Sequence, residues 1–310
     1  MAGFQRARRL PAWRNLALST WSAPSSPAAY GVLDLDCERA LDWAARARAA
    51  SGEKITLTHV VGKAAAIAIA SAPETNGFAS FGRLMLRDSV DVFFQVAFFD
   101  AREQAAGKGE RETRRDANLA GAKIVGADRK SVVDVARELR ERAETIRARG
   151  KDPTVRAAKL MGKLPGPMRS MAARLTAFLA FDLGWNLSGL GVPFDAFGSC
   201  MVTNVGVFGI EMAWAPLIPY ARTPLCITLG AVREAPTAVG KEVAVRKHVS
   251  LGVVFDHRVM DGYHAGVMAR RFKEIFSDPD DALGDPALQC TSPTSSANAP
   301  TSTSSGDAPP

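Results

Sequence analysis

The sequence predicts an α+β fold in which a layered, mixed β-sheet packs against helices. Segments with helical spacing of apolar residues and runs rich in β-branched and aromatic residues both occur along the chain, but they do not alternate regularly. Regular alternation would have favoured a doubly wound parallel sheet. A chain of 310 residues can bury a sizeable core. We expect residues 1–290 to form one domain and the Ser/Thr/Pro-rich residues 291–310 to be disordered.

The first half of the chain predicts two helices between strands. In order, the predicted elements are a strand starting near Tyr30, a helix over 37–50, a buried Ala-rich helix over 58–71 and a buried strand over 89–100. Asp36 is the expected N-cap of the first helix, and Pro73 stops the second. We interpret residues 12–22 as part of the fold and the charge-dense residues 101–118 as a solvated loop, followed by a short strand.

The second half predicts an amphipathic helix, an apolar insert and the strands that carry the chemistry. Ser131 begins the helix, whose apolar positions recur every three or four residues up to Gly150. Residues 153–196 form the insert, which either packs on the surface or lines a pocket for a longer acyl chain. The remaining predicted elements are strands over 199–205, 225–232 and 242–256 and a helix over 263–276.

Composition narrows the class of protein. The net charge of +7 suits phosphate-bearing ligands, but no zinc-finger spacing or RNA-binding signature is present, so we do not predict nucleic-acid binding. The cysteines are not spaced as CxxC motifs, which predicts free thiols in a reducing compartment and no metal site. We take the cytoplasm as the default location. The four cysteines are Cys37, Cys200, Cys226 and Cys290. Polar residues and glycines interrupt the apolar run 175–194, so it does not predict a membrane span, and membrane-surface contact is a secondary interpretation.

His257 is the first candidate for chemistry. It lies in "VVFDHRVMDG", where an apolar strand ends and a helix follows. A histidine at a strand end can serve as a base near neutral pH. Asp261 can hold the turn through backbone N–H groups or an arginine, and Gly262 can permit a turn that a Cβ would resist. A structural histidine in a charged turn explains this stretch equally well.

The second candidate is "FGSCMVTNVGVFG", residues 197–209. It places the Thr203 hydroxyl and the Asn204 amide near the end of a strand. Such a hydroxyl can donate a hydrogen bond to a developing oxyanion. Taken alone, the stretch is also explained as ordinary turn chemistry, because Asn and Gly are common in loops.

Together the two motifs resemble the catalytic domain of the dihydrolipoamide acyltransferases of 2-oxoacid dehydrogenase complexes, whose relatives include chloramphenicol acetyltransferase. His257 follows Thr203 by 54 residues, and the helix ending "FKEIFSDPDDAL" comes next. The resemblance extends upstream through "WRNLALSTWSAPSSPAAYGVLDLDCERAL" and "KITLTHVVGKAAAIAIASAPETNG" and covers roughly residues 10–288. It implies a chloramphenicol acetyltransferase-like fold.

The resemblance also implies roles for individual residues. His257 would take a proton from the thiol of coenzyme A or of a dihydrolipoyl group, and Thr203 would stabilise the tetrahedral oxyanion. Asp261 would support the active-site turn through an arginine, for which Arg14 occupies the family's position. The family's sites lie between subunits of a trimer, so we expect a homotrimer or higher oligomer, with acyl-CoA as substrate and a lipoyl-bearing protein as a possible partner.

Two departures from the family leave alternatives open. The chain shows no lipoyl domain with its modified lysine, and the family's Thr-Pro-x-Gly-Leu stretch is replaced by the charge-dense residues after the buried strand. Besides transfer between thioesters, the sequence therefore allows a small-molecule or lipid acceptor, or an idle trimeric scaffold of the same fold.

Overall fold

A computed structural model of the chain describes residues 27–98, 118–149, 166–190, 194–218 and 220–290. The strands are β1 (Ala28–Asp36), β2 (Gly77–Ser80), β3 (Arg83–Leu86), β4 (Val92–Phe98), β5 (Asn118–Ile124), β6 (Cys200–Asn204), β7 (Leu225–Leu229), β8 (Arg233–Val239) and β9 (Glu242–Asp256). The helices are α1 (Glu38–Ser51), α2 (Leu57–Ala70), α3 (Val132–Arg149), α4 (Gly166–Ala177), α5 (Gly262–Ser277) and α6 (Pro279–Leu283), and a π-helical turn (Phe178–Asp182) continues α4.

The described strands form a seven-stranded mixed sheet and a separate hairpin. The sheet has the order β1-β9-β7-β6-β4-β5, and β8 pairs with β9 beside this path. Strand β6 runs parallel to β4 and β7, whereas the other pairs are antiparallel. Strands β2 and β3 pair only with each other. The predicted α+β class with a mixed sheet is therefore confirmed.

Helices α1, α2, α3 and α5 pack on one face of the sheet. Alternate residues of a strand point to opposite faces, so each strand contributes every second side chain to this helical layer. On β6 and β7, the side chains facing this helical layer are Cys200, Val202, Leu225, Ile227 and Leu229. Met201 and Cys226 face the other way, into a smaller cluster with Val254. The two faces of the sheet thus have different packing partners among the described residues: the helices and the main core cover one face, and loop segments cover the other.

An extended segment crosses the face opposite the helices. A Cβ added at Gly230 would lie 1.8 Å from the carbonyl oxygen of Glu211, and one at Gly252 would lie 2.0 Å from that of Ala213. The Trp214 indole N–H donates to the Gly31 carbonyl (2.9 Å). Only glycine lets two backbones approach so closely. Residues 211–215 therefore form a strap against the sheet, which the sequence analysis did not predict.

Most predicted elements are confirmed, within the usual uncertainty at their ends. The strand predicted over 242–256 matches β9, and the helices predicted over 37–50, 58–71 and 263–276 match α1, α2 and α5. The predicted N-cap Asp36 is wrong by one position: Cys37 is the N-cap, and the Asp36 carboxylate accepts from the Glu38 backbone N–H (3.1 Å). The β2–β3 hairpin and β8 were not predicted. Residues 12–22, most of 101–118 and 291–310 lie outside the described residues.

The described part of the apolar insert packs on the β2–β3 hairpin through buried ion pairs. Arg87 binds the Asp195 carboxylate at 2.7 and 3.0 Å, with side-chain exposures of 7% and 13%. The Asp182 carboxylate accepts from Arg222 (2.8 Å) and from the Ser80 hydroxyl (2.7 Å). These bonds fix the insert to the hairpin. Among the described residues, no helix is long and apolar enough to cross a membrane.

His59 completes a capping box at the start of α2 and makes folding sensitive to pH. Its Nδ1 accepts from the Thr56 backbone N–H (3.0 Å), and burial lowers its pKa to about 4. His59 is therefore a structural histidine whose hydrogen bond is satisfied within the fold. Unfolded histidine titrates near 6.5, so below that pH the unfolded chain binds more protons than the folded chain.

We therefore expect the free energy of unfolding to fall as pH falls from about 6.5 to 4, by up to about 1.4 kcal/mol per pH unit. Glutamine suits the third position of a capping box and does not titrate, so His59→Gln should remove this contribution. Urea unfolding at several pH values measures it. An unchanged pH slope in the glutamine variant would contradict the prediction.

Candidate functional site

His257 lies on a tight turn that immediately follows β9. Its backbone N–H donates to the Pro27 carbonyl (2.8 Å), at the start of β1. The Asp256 carboxylate accepts from the Arg258 backbone N–H (3.0 Å) and guanidinium (2.6 Å), which closes the turn. Val259 and Met260 are buried, whereas the His257 side chain is exposed. The turn is therefore held from below and presents the imidazole outward.

Asp261 is the N-cap of α5, immediately after this turn. Its carboxylate accepts from the backbone N–H groups of Tyr263 (2.9 Å) and His264 (3.2 Å), and the bond from His264 is the main reason that its pKa is lowered. His264 Nδ1 also lies 2.8 Å from the same carboxylate. Of the two partners that the sequence allowed for Asp261, backbone N–H groups are present. Arg14 lies outside the described residues.

The steric reason given for Gly262 is wrong. A Cβ at this position would meet nothing within 4 Å, and its φ lies outside the left-handed region. Gly262 is the first residue of α5, where the capping by Asp261 sets the direction of the chain. The glycine therefore leaves open space near the turn, and the turn itself does not depend on it.

Thr203 is half-buried near the end of β6. It pairs with Gln95 on β4 and with Thr228 on β7. By strand alternation its side chain shares a face with Met201, which is the face opposite the helical layer. Its hydroxyl is thus directed to the side of the sheet on which no described helix packs.

Asn204 is turned to the other face. Its side-chain N–H donates to the Thr58 hydroxyl (2.9 Å), at the start of α2, and its Oδ1 is buried without a hydrogen-bond partner among the described residues. Asn204 thereby anchors the end of β6 to the helical layer. This bond fixes the end of β6 directly after Thr203.

The structure does not bring His257 and Thr203 together within one chain. Phe255 on β9 pairs with Leu225 on β7, which pairs with Cys200 on β6. His257 therefore lies about five residue steps and two strands from Thr203, which is roughly 15–20 Å. A site that uses both side chains on one small substrate needs them from different chains.

The remaining histidine, His248, lies in a hydrogen-bonded network between strands. His248 Nε2 lies 2.6 Å from the Thr237 hydroxyl, and its Nδ1 lies 3.0 Å from Asp34. With a side chain only 13% exposed, His248 joins β1, β8 and β9 through these contacts. Within the described ranges, no group of three His, Cys, Asp or Glu side chains could hold a metal ion.

One segment of the chain matches the model of a known family. Residues 196–284 match the model of the 2-oxoacid dehydrogenases acyltransferase catalytic domain, so the resemblance seen in the sequence is confirmed over the segment that contains both motifs. The matching segment begins just before β6 and ends just after α6.

Two curated proteins are similar to this chain in sequence. The acetyltransferase component of the acetoin cleaving system of Bacillus subtilis is 22% identical over 228 residues, 74% of this chain and 43% of that protein. The probable succinyltransferase component of the 2-oxoglutarate dehydrogenase complex of Schizosaccharomyces pombe is 32% identical over 90 residues, 29% of this chain and 20% of that protein. The chain thus spans less than half the length of these curated relatives.

Solved structures share the fold. The dihydrolipoamide acetyltransferase of Azotobacter vinelandii aligns with a TM-score of 0.56 and 18% identity over 84% of this chain and 85% of that one. A probable dihydrolipoamide acetyltransferase from Listeria monocytogenes aligns with a TM-score of 0.55 and 18% identity, over 89% of this chain and 96% of that one. The cubic core of the pyruvate dehydrogenase complex gives a TM-score of 0.56 and 18% identity over 91% and 96% of the two chains.

Sequence reasoning missed Asp256, the residue whose carboxylate closes the turn that carries His257. Its carboxylate binds both the backbone and the side chain of Arg258, two positions later. The signal was available in "FDHR", because an aspartate two residues before a backbone N–H commonly forms such a turn.

Proposed function

We propose that the chain is a coenzyme A-dependent acyltransferase that moves an acyl group between thioesters, with a dihydrolipoyl group as the second thiol. The observation that carries this proposal is the presentation of His257 on a turn fixed by Asp256 and capped by Asp261. An exposed imidazole on such a rigid turn suits proton transfer to and from a bound thiol.

The reaction needs no covalent enzyme intermediate. The His257 imidazole takes the proton from the attacking thiol, and the thiolate forms a bond to the thioester carbonyl carbon. The tetrahedral oxyanion accepts a hydrogen bond from the Thr203 hydroxyl. When the intermediate collapses, the original carbon–sulfur bond breaks and the departing thiolate receives the proton from His257.

The comparison with Azotobacter vinelandii supports these roles. The crystallographic and enzymatic work on that acetyltransferase concerns a serine, a histidine and an asparagine in its catalytic mechanism, with 52 residues from serine to histidine and four from histidine to asparagine. Here His257 follows Thr203 by 54 residues and precedes Asp261 by four. The hydroxyl, the imidazole and a polar side chain after it thus recur at nearly the same spacing.

We further propose that His257 and Thr203 meet across a contact between two chains of a homotrimer. Their separation within one chain supports this, as does the position of Thr203 on the face without described helices. A head-to-tail ring of three would repeat the same His–Thr contact at each interface.

Mixed assemblies test this arrangement. In a two-chain site, His257→Ala chains still supply Thr203, and Thr203→Val chains still supply His257. Co-refolding equal amounts of the two inactive variants should restore about a quarter of the parent activity, because one interface in four receives both intact groups. Thiol release from acetyl-coenzyme A with free dihydrolipoamide measures it. Absence of recovery in assemblies shown to be mixed would contradict a shared site.

A further inference from the structure

We propose that the insert and the β2–β3 hairpin form a docking surface for anionic phospholipid membranes. This inference does not depend on the acyltransferase proposal. It starts from a set of exposed apolar side chains, which we call the apolar patch: Phe81, Leu86, Met171, Leu175, Phe178 and Trp185.

The side chains of the apolar patch are strongly exposed. Phe81, at the tip of the hairpin, is 71% exposed, Met171 is 65% exposed and Trp185 is 56% exposed. Met171, Leu175 and Phe178 recur every three or four residues, so they lie on one face of α4 and the turn after it. The rings of Phe81 and Phe178 are 6.1 Å apart, which joins the hairpin to the helix. Exposed apolar surfaces of this kind mark interaction sites.

Two ion pairs lie beneath the apolar patch and bury the carboxylates of Asp182 and Asp195. Asp182, whose side chain is 7% exposed, binds Arg222 and Ser80. The Asp195 carboxylate is likewise occupied by Arg87. The ion pairs therefore hold the hairpin and the insert in one body and remove both carboxylates from its outer surface.

The charge left on the outside is cationic. Apart from the paired Arg87 and Asp182, residues 77–87 and 166–190 contain three arginines and no acidic residue, and the exposed Asp88 follows directly after the hairpin segment. Arg83 and Arg174 are exposed beside the apolar patch. Cationic side chains next to exposed apolar and aromatic groups fit an anionic lipid surface, where each basic residue near the surface adds to binding.

The length of the helix favours lying on a membrane over crossing one. Helix α4 has 12 residues, whereas a spanning helix needs about 20. A second copy that binds through its own apolar patch is a poorer occupant. A self-complementary contact through the apolar patch would place Arg83 and Arg174 near their own copies, with no exposed carboxylate from these two segments to pair with them.

Vesicle co-sedimentation of the full chain tests the proposal. We expect binding to vesicles that mix phosphatidylcholine with phosphatidylglycerol, weaker binding to phosphatidylcholine alone and loss of binding at high salt. Met171→Glu should weaken binding to the anionic vesicles about tenfold or more, since it removes an apolar side chain that would insert among the lipids and adds a repelled charge. The matched control is Val243→Glu on β9, where a similarly exposed valine (76%) lies outside the apolar patch.

Three results would overturn the proposal. The first is a parent chain that stays in the supernatant with both lipid compositions, and the second is equal binding by the Met171→Glu and Val243→Glu variants. The third is a Met171→Glu variant that dissociates an assembly of the parent chain in analytical ultracentrifugation, which would identify the apolar patch as a contact between copies.

Discussion

The His257→Ala variant should lose acyl transfer by about 100- to 10,000-fold in kcat, the usual contribution of a positioned general base. The His257 side chain is exposed, and the bonds that hold its turn come from its backbone and from Asp256. The substitution should therefore leave the fold and its thermal unfolding unchanged. Steady-state thiol release from acetyl-coenzyme A, with dihydrolipoamide as acceptor, measures the loss.

Two controls separate a base from a structural residue. Added imidazole should restore part of the activity of His257→Ala, because a small base can enter the space left by the side chain; a turn damaged by the substitution would gain nothing. Tyr263→Ala, six residues later and 71% exposed, changes the same end of the molecule without removing the base and should keep most of the parent activity. Undiminished turnover by His257→Ala would refute the mechanism.

The Thr203→Val variant should lose about 100- to 1,000-fold in kcat with little change in KM, since an oxyanion donor acts mainly in the transition state. Valine has nearly the shape of threonine and suits a strand, so the change removes a hydroxyl and little else. Thr203→Ser keeps the donor and should retain activity to within a few-fold. The pair of variants isolates the hydrogen bond from the packing.

A neighbouring residue provides the matched control for Thr203. Thr228 is the register partner of Thr203 on β7, and its hydroxyl accepts from the Ala215 backbone N–H of the strap (3.1 Å). The same change at this position, Thr228→Val, should lower stability by about 1 kcal/mol and leave kcat largely intact. If both valine variants lose the same activity in proportion to their stability, Thr203 is not an oxyanion donor.

The sequence predicted the long elements well because each contains its own repeating signal. Helix α3 has apolar residues at regular helical spacing, and β9 contains five valines among its 15 residues. The β2–β3 hairpin has strands of four residues, and β3 is exposed along its whole length, so it lacks the alternation that marks a half-buried strand. Its signal was the turn: Phe81 and Gly82 both have positive φ, as in two-residue hairpin turns.

The sequence proposes the residues of the candidate site, and the arrangement between subunits comes only from the family resemblance. The motifs single out His257, Thr203 and Asp261 as candidates, because each follows from side-chain chemistry at a strand end or helix start. The order of strands decides the distance between the first two, and it depends on pairing between segments far apart in sequence. The strap escaped prediction for a similar reason: Gly230 and Gly252 are informative only once the backbone that passes over them is known.

The wide separation of His257 and Thr203 on one sheet has an evolutionary consequence. If each catalytic centre is completed by a second chain, natural selection on turnover acts on the contact between chains as strongly as on the reacting groups. Substitutions far from either side chain would then alter the rate by shifting one protomer against the next. The lineage of such a protein would preserve its quaternary geometry even while the acyl group and the acceptor changed.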